Sequence, residues 1–307
     1  MKREIAPTCP QRRSVTMPFA PRLLVVALLV GGSLGGLQSL TAQPSFSPPP
    51  GSQTQSDTVD FSPSGTVEID NREGRITVTT WTRPQVGYRA VLSPSAEDSV
   101  VATDLEIDRS DEEISFDHDH SWSLRIPGLL TISPDGTSEP VGHFWVVMPE
   151  TAGLEIDDYA STIEVSGVQG NARIDTHSGT VTGEAMGGNL RLETFSGSTT
   201  ASGLRGRTEI ETHSGRITTA FEEFAGPSSA ETHSGDLRFY LPADTGLTVT
   251  TDADSSQLVI DEAFGTPSRD DDQWIVNGGG PELSLETFSG AIELRPLTAA
   301  PGDPGDR

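Results

Sequence analysis

Apolar and polar residues alternate along most of the chain beyond residue 59, with the period of two that is typical of β-strands. Around Thr212, the alternation predicts that Ile210 and Thr212 point into a core. Glu211 and His213 should then point outward, and Ile217, after a turn, should point inward again. Beyond the N-terminal apolar run, no long window shows the period of a helix. The pattern therefore predicts an all-β protein.

The alternating stretches repeat a short motif. Four copies share the order apolar, acidic, Thr, His or Phe, Ser, Gly, and they end at Gly179, Gly197, Gly215 and Gly235. These glycines lie 18, 18 and 20 residues apart. A fixed period of this size indicates a solenoid, in which each coil buries its apolar residues against its neighbours. The sequence thus predicts a parallel β-helix (β-solenoid) of roughly 18–20-residue coils with an N-terminal β cap.

A glycine at the end of each motif suits a corner of the coil. Glycine adopts positive φ without strain, and any side chain there would clash with the next coil. In two degenerate coils, Thr162 and Ser256 are predicted to take the glycine position. The predicted corner glycines are Gly74, Gly179, Gly197, Gly215, Gly235 and Gly290.

The first 42 residues have the pattern of a secretory signal peptide. Arg22 precedes the apolar run 23–30, and Leu40 and Ala42 suit the −3 and −1 positions of a cleavage site. The apolar run is short for a membrane span. Export is therefore expected, to the periplasm, the cell surface or the medium, with no membrane span after cleavage; retention as an N-terminal anchor is the alternative.

The rest of the chain divides by composition. Residues 43–58, rich in Pro and Ser, are predicted to be a disordered linker, and residues 299–307 a disordered tail. Between them, residues 59–298 form the predicted solenoid domain, with the β cap at 59–145 and the repeat array at 146–298. The segment 264–280 interrupts the repeat and is predicted to be an exposed loop. The motif copy that ends at Gly290 is expected to close the array.

The net charge of the chain limits the classes of partner that it can bind. The formal net charge is −25, and residues after Ala42 include 15 basic and 44 acidic side chains. Such a surface repels nucleic acid and anionic lipid, so neither is expected to bind. Cys9, the only cysteine, lies in the predicted signal peptide, so no thiol chemistry is expected in the mature domain. Gly278–Gly280 precedes a strand and not a helix, which argues against a nucleotide-binding loop, and no cofactor is expected.

The alternation leaves two series of outward side chains. One is acidic, and its members are Asp175, Glu193, Glu211, Glu231, Asp252 and Glu286. The other comprises His177, Phe195, His213, His233, Asp254 and Phe288. Because stacked coils lie roughly 4.8 Å apart, neighbouring carboxylates repel and need solvent or a cation. Arg173, Arg191 and Arg216 are close enough in sequence to offset part of that repulsion.

The candidate binding residues are Glu211, His213, Glu231, His233 and Phe195. Carboxylates and imidazoles suit a divalent cation, and the rings could stack on sugars, but a solvated face without a ligand explains the same pattern. The spacing alone does not define a metal site, and none is predicted. His118 and His120 on one side of a strand, and Asp270–Asp272, are weaker metal candidates; an exposed edge and a solvated loop explain them more simply.

The array resembles a known family. Its Thr-x-Ser-Gly repeats, the segment Gly74–Val78, and the strand Val146–Pro149 followed by Leu154–Ile156 resemble the bacterial putative-adhesin family of β-solenoid domains of unknown function. That family is similar to head domains of putative auto-transporter adhesins. The resemblance covers about residues 59–297 and implies an envelope-associated β-helix without established enzymatic activity. It transfers no catalytic residues. The acidic insertion at 265–273 and the strong negative charge depart from the family pattern.

We therefore expect a non-enzymatic, exported, adhesin-like solenoid that presents its acidic, His and Phe side chains to an unknown envelope component or surface glycan. The alternative is a carbohydrate-active β-helix, a hydrolase or lyase in which carboxylates of neighbouring coils cleave a polysaccharide. Short coils without long loops leave no walled cleft for that chemistry. The corner serines recur in every motif copy and are not candidate nucleophiles. A structural periplasmic protein without a fixed ligand is a third possibility, and the sequence leaves the oligomeric state open.

Overall fold

The computed structural model describes residues 47–93, 106–110, 112–117, 124–126, 130–132, 141–252, 257–270 and 273–297. The predicted signal peptide and tail lie outside these residues, as do His118, His120, Asp254, Ser256, Asp271 and Asp272. The all-β prediction is confirmed, because the described residues contain 21 strands and one short 3-10 helix, Glu262–Phe264. No helix in this part of the chain is long and apolar enough to cross a membrane.

The described strands are numbered in chain order. Their bounds are β1 (Gln53–Asp60), β2 (Thr66–Trp81), β3 (Gln85–Ser93), β4 (Glu106–Arg109), β5 (Glu113–Asp117), β6 (Leu124–Ile126), β7 (Leu130–Ile132), β8 (Val141–Pro149), β9 (Gly153–Ser166), β10 (Ala172–Glu184), β11 (Leu190–Leu204), β12 (Thr208–Ser214), β13 (Ile217–Phe221), β14 (Ser228–Ser234), β15 (Leu237–Leu241), β16 (Leu247–Thr250), β17 (Leu258–Ile260), β18 (Ser268–Asp270), β19 (Gln273–Val276), β20 (Glu282–Ser289) and β21 (Ile292–Pro296). Nineteen of them form one hydrogen-bonded sheet, and β6 pairs with β7 separately.

Parallel pairing brings the motif copies into register. Ile174, Leu192, Ile210 and Ala230 are neighbours on β10, β11, β12 and β14. These residues are 18, 18 and 20 positions apart, the same intervals that separate the motif glycines. Equivalent side chains therefore stack above one another along the sheet, and the β-rich solenoid expected from the repeat is the observed architecture.

Each repeat has two parts on either side of the glycine corner. In β10 and β11 a single strand runs through the corner, whereas later repeats are divided into β12 and β13, β14 and β15, and β20 and β21. The strand before the corner in one repeat pairs with the strand before the corner in the next repeat, and we call these the front strands. The strands after the corner pair in the same way and are called the back strands. One front strand and one back strand make a coil. Ile210 and Ile217 are fully buried while Glu211 and His213 are exposed, which confirms the predicted inward and outward positions.

The coils do not follow chain order at the C-terminal end. Ala230 of β14 pairs with Leu285 of β20, and β20 then pairs with β16, where Leu283 lies beside Val249. The last coil in sequence thus lies between the coil of β14 and the strands β16 and β17. The prediction that the coil of Gly290 closes the array is wrong. That coil has the full motif and matches its regular neighbour, whereas β16 and β17 are short and lie beyond it.

The segment 264–280 is not only a loop. β18 and β19 pair antiparallel, and β19 pairs antiparallel with β16, with Trp274 beside Val249. Val276 is fully buried and Trp274 packs against the core. The exposed-loop prediction is therefore wrong for these two strands. They cover the edge of β16 that stacking would otherwise leave open.

The N-terminal end departs from the predictions in two places. β1 begins at Gln53, inside the predicted disordered linker, and pairs antiparallel with β3. Its side chains are mostly exposed, so it has no apolar alternation that the sequence could reveal. In the coil of β9, Ser161 pairs with Gly74 and so takes the corner, whereas Thr162 pairs with Arg75. The assignment of Thr162 to the corner was one residue too far along the chain.

Candidate functional site

At each glycine corner, the residue that precedes the Ser-Gly pair, such as His213 before Ser214 and Gly215, points outward. Gly215 has φ of +138°, and a Cβ atom there would overlap the carbonyl oxygen of Gly197. Two residues before Ser214, the inward Thr212 donates its hydroxyl hydrogen to the Ser214 carbonyl oxygen over 3.2 Å. Thr194 makes the equivalent bond to Ser196. His213 lies between these anchored residues, and its side chain must leave the coil on the solvent side.

The outward rings form one continuous stack, which we call the ring column. Its members, in spatial order, are Tyr159, His177, Phe195, His213, His233 and Phe288. Successive ring centroids are 4.8–5.1 Å apart and the planes are within 8° of parallel. Tyr159, Phe195 and Phe288 are 53%, 51% and 78% exposed, which is high for such large apolar side chains. Phe288 stacks directly on His233, whereas Asp254, which comes between them in the series predicted from the sequence, lies outside the described residues.

The ring column presents edges and not faces to solvent. Each interior ring has another ring on both faces, and the centroids of neighbouring rings are only 4.8–5.1 Å apart, which leaves no room for a further ring between them. A sugar could therefore not stack face-on against the interior rings, and Phe288, at 78% exposure, is the most accessible ring of the column. Along its length, a partner meets aromatic C–H edges, which carry partial positive charge, and the edges of three imidazoles. This geometry corrects the expectation that the whole column could stack on sugars.

A row of carboxylates accompanies the rings. We call it the acidic column, and its members are Asp157, Asp175, Glu193, Glu211, Glu231 and Glu286. Each is two residues before a member of the ring column and is paired in register with the next. Adjacent like charges at this spacing oppose ionisation. The two columns together therefore make a face of paired acidic and ring side chains, repeated once per coil.

In the part of the chain that the structure describes, arginines form ion pairs with only two members of the acidic column, Asp175 and Glu193. The Arg173 Nη2 atom lies 2.5 Å from Asp175 Oδ2, and Arg191 Nη2 lies 2.5 Å from Glu193 Oε1. In the next three coils, the row that contains these arginines continues as Glu209, Ser229 and Ser284.

We call Glu211, Glu231 and Glu286, together with the ring-column member two residues after each of them, the arginine-free half, because the adjacent row of their front strands contains no arginine. Among the described residues, none of these three carboxylates has an ion-pair partner within 4 Å. Arg216, expected to help, instead lies 3.7 Å from Asp236 beyond the corner.

Burial and mutual repulsion shift several of these acids in the same direction. Burial raises the pKa of Glu211, and the charges of Glu193 and Glu231 add to the effect while Arg191 opposes it. Burial likewise raises the pKa of Glu286, with Asp252 and Glu231 contributing. Glu211 and Glu286 therefore hold protons more tightly than free carboxylates do.

All five predicted binding residues lie on this face. Glu211, His213, Glu231, His233 and Phe195 line one shallow groove of about 710 Å³ on the front strands. Within the described residues, no group of three or more His, Cys, Asp or Glu side chains is arranged to hold a metal ion. The groove is open along its length, so its chemistry is that of a contact surface with carboxylates and imidazoles and not that of an enclosed site.

Two residues of this region, Tyr159 and Asp158, were not predicted from the sequence. Tyr159 extends the ring column by one coil, although its coil lacks the Ser-Gly motif; its distance of 18 residues from His177 was the available signal. Asp158 takes the place of the inward threonine. It accepts hydrogen bonds from Ser161 N (2.7 Å), Ser161 Oγ (2.5 Å) and Thr176 Oγ1 (2.9 Å). Burial raises the pKa of Asp158, and these hydrogen bonds oppose the shift.

Comparison with known proteins identifies a family model and one structure. A family model described as Toastrack DUF4097 matches residues 53–295. Among solved structures, one that resembles this chain is a putative cell adhesion protein from Clostridium sporogenes. It is 10% identical, the match covers 80% of this chain and 100% of that chain, and the TM-score is 0.35. No curated protein matches the sequence.

Proposed function

This chain belongs to the Toastrack DUF4097 family, and from that premise we propose that it is a non-enzymatic, exported, adhesin-like solenoid whose front face binds an envelope component or a surface glycan. The observation that carries the proposal is the ring column. Six rings lie in one unbroken outward row beside a matching row of carboxylates. Contiguous exposed apolar surface with a polar rim is typical of interaction sites.

The repetition of this face favours a partner that is itself extended. Each coil offers one acid and one ring at nearly equal intervals, so a long or repetitive partner could make the same contact several times. Several weak contacts on one chain add up to firm attachment, because every contact after the first is intramolecular. Export is supported by the signal-like pattern of residues 1–42.

A glycosidase or lyase fits this geometry less well. Cleavage needs carboxylates placed on both sides of one bond, in a site that orients the sugar. The acidic column instead lies on one open face, and the ring faces that could orient a sugar are covered by neighbouring rings.

Binding of the full chain to isolated cell envelopes and to a panel of acidic and neutral polysaccharides tests the proposal. The double variant Phe195→Ala/Phe288→Ala should lose most of the binding. Val259→Ala removes apolar surface from an exposed residue outside the ring column and should bind as the parent does.

Equal binding by all three proteins, or no binding to any fraction, would contradict the proposal. The same polysaccharides should be assayed for released reducing ends. Turnover that disappears in Glu211→Gln/Glu231→Gln would establish the enzymatic alternative instead.

A further inference from the structure

The arginine-free half combines carboxylates that have no ion pair in the described part of the chain with an exposed aromatic ring. Glu211, Glu231 and Glu286 lack ion-pair partners among the described residues, and each lies two positions before a member of the ring column. Phe288, at the end of this half, is the most exposed large apolar side chain among the described residues, and the other two rings of this half are the imidazoles of His213 and His233. A partner that satisfies both features needs positive charge on one flank and apolar groups on the other.

The spacing along the columns indicates whether that partner is helical or extended. Along the column, successive contacts are 4.8–5.1 Å apart. Residues i and i+3 or i+4 of an α-helix have Cβ atoms about 5–6 Å apart, and the helix rises about 5.4 Å per turn. Side chains on one side of an extended strand repeat at about 6.6–6.8 Å, which loses register within a few coils. A helix laid along the column therefore matches one turn to one coil.

The width of the face fits the same geometry. The acidic and ring columns are two residues apart on a strand, hence about 7 Å. A helix with its side chains is about 10–12 Å across and would cover both columns at once. The full ring column contains five steps of 4.8–5.1 Å, a length that roughly 16 helical residues span at about 1.5 Å each.

We infer that the front face, and above all its arginine-free half, binds a cationic amphipathic α-helix. Lysine or arginine side chains on one flank pair with Glu211, Glu231 and Glu286, and the apolar stripe lies across the ring edges. The long lysine stems can rest on apolar surface while their charged ends reach the carboxylates. The net charge of −25 would also speed the encounter with a cationic peptide. This inference rests on the proposed function and specifies the class of partner.

A designed peptide tests the inference with the full chain. The probe is an 18-residue helix with leucine at i, i+3, i+4 and i+7 and with lysine on the flanks, labelled for fluorescence anisotropy. We expect saturable binding that weakens as salt rises from 50 to 300 mM. A peptide of the same composition with a central proline, and a scrambled peptide without an apolar stripe, should bind at least tenfold more weakly.

Matched protein variants locate the contact. Glu211→Gln/Glu231→Gln/Glu286→Gln should weaken binding about tenfold, as expected for the loss of three exposed ion pairs. Glu164→Gln/Glu222→Gln/Glu223→Gln removes the same charge away from the acidic column and should change binding less than twofold. Circular dichroism and thermal melting confirm that both triple variants fold.

The possible outcomes separate this inference from the proposed function. Equal losses in the two triple variants would show general attraction to negative charge and overturn the inference. Equal binding of the proline peptide would overturn the helical geometry. If the peptide does not bind but an amino-sugar oligomer or an envelope fraction binds through Phe195 and Phe288, the inference fails and the proposed function stands. If no probe depends on this face, both fail.

Discussion

The corner column and the ring column run side by side through the same strands, but the fold enforces only one of them. The corner column consists of Ser161, Gly179, Gly197, Gly215, Gly235 and Gly290, stacked so closely that a Cβ on any of the last five would overlap a backbone oxygen of the neighbouring coil. The ring column, two residues earlier, contains Tyr, His and Phe, and all of its members project into solvent. Repetition at the corner therefore follows from backbone packing. Repetition of the rings needs another cause, and contact with a partner is the one we propose.

A corner substitution should have the largest effect. Gly215→Ala forces a side chain into a position with φ of +138° and into the carbonyl oxygen of Gly197. We expect the free energy of unfolding to fall by about 3 kcal/mol or more in urea denaturation. The control is Gly226→Ala, because a Cβ atom on Gly226 would meet no other atom within 4 Å. This variant should change the free energy of unfolding by less than about 1 kcal/mol. Similar losses in the two variants would mean that the corner is not under steric constraint.

The next largest effect should come from the inward row that lies between the acidic column and the ring column. Asp158→Ala removes the acceptor for Ser161 N, Ser161 Oγ and Thr176 Oγ1. The loss should lower the free energy of unfolding by about 2 kcal/mol, because buried donors are left without their charged partner. Asp157→Ala, at the exposed position one residue earlier, is the control and should change it by less than about 0.5 kcal/mol. Equal effects would show that the hydrogen bonds of Asp158 contribute no stability.

A smaller effect should come from pH acting on the acidic column. The pKa values of Glu211 and Glu286 are raised in the folded protein above the ordinary 4.5, so the folded state binds protons more tightly than the unfolded state. Their contribution to stability is greatest below pH 4.5 and is lost as pH rises through the raised values. The gain in Tm on acidification from pH 7 to pH 5 should therefore be smaller in Glu211→Gln/Glu286→Gln than in the parent.

The control for pH is Glu150→Gln/Glu223→Gln, which removes two exposed acids outside the acidic column. This variant should gain as much in Tm as the parent does. If the acidic-column variant also keeps the full gain, the carboxylates of Glu211 and Glu286 are not the source of the pH dependence.

The smallest effect on stability should come from the ring column. Phe195 is half exposed and Phe195→Ala should change the free energy of unfolding by no more than about 0.5 kcal/mol. Phe221→Ala, at a fully buried position, should lower it by about 3–5 kcal/mol. A loss of several kcal/mol at Phe195 would mean that ring stacking holds the solenoid together, and the functional interpretation of the ring column would lose its main support.

The sequence alone determined the features that every coil must satisfy by itself. Period-two alternation separated the buried Ile210 and Thr212 from the exposed Glu211 and His213, and the motif spacing predicted which residues stack. All five candidate binding residues were found in this way, because inward and outward positions are a local property of a strand. The same logic missed Tyr159 and misplaced the corner of its coil, where the motif has diverged and the register comes from pairing with β2 and β10.

Only the tertiary structure decided how the coils are ordered and what the face can contact. The insertion of β20 beside β14, and the strands β1, β18 and β19, depend on partners far away in the chain, which local alternation cannot encode. The stacking of Phe288 on His233 follows from that order. Ring faces are covered and edges are exposed because the side chains of neighbouring coils lie parallel, a consequence of the distance between coils. The acids and rings are present in the sequence, and the stacking of the coils determined that they form one continuous face in which Glu211, Glu231 and Glu286 have no ion pair among the described residues.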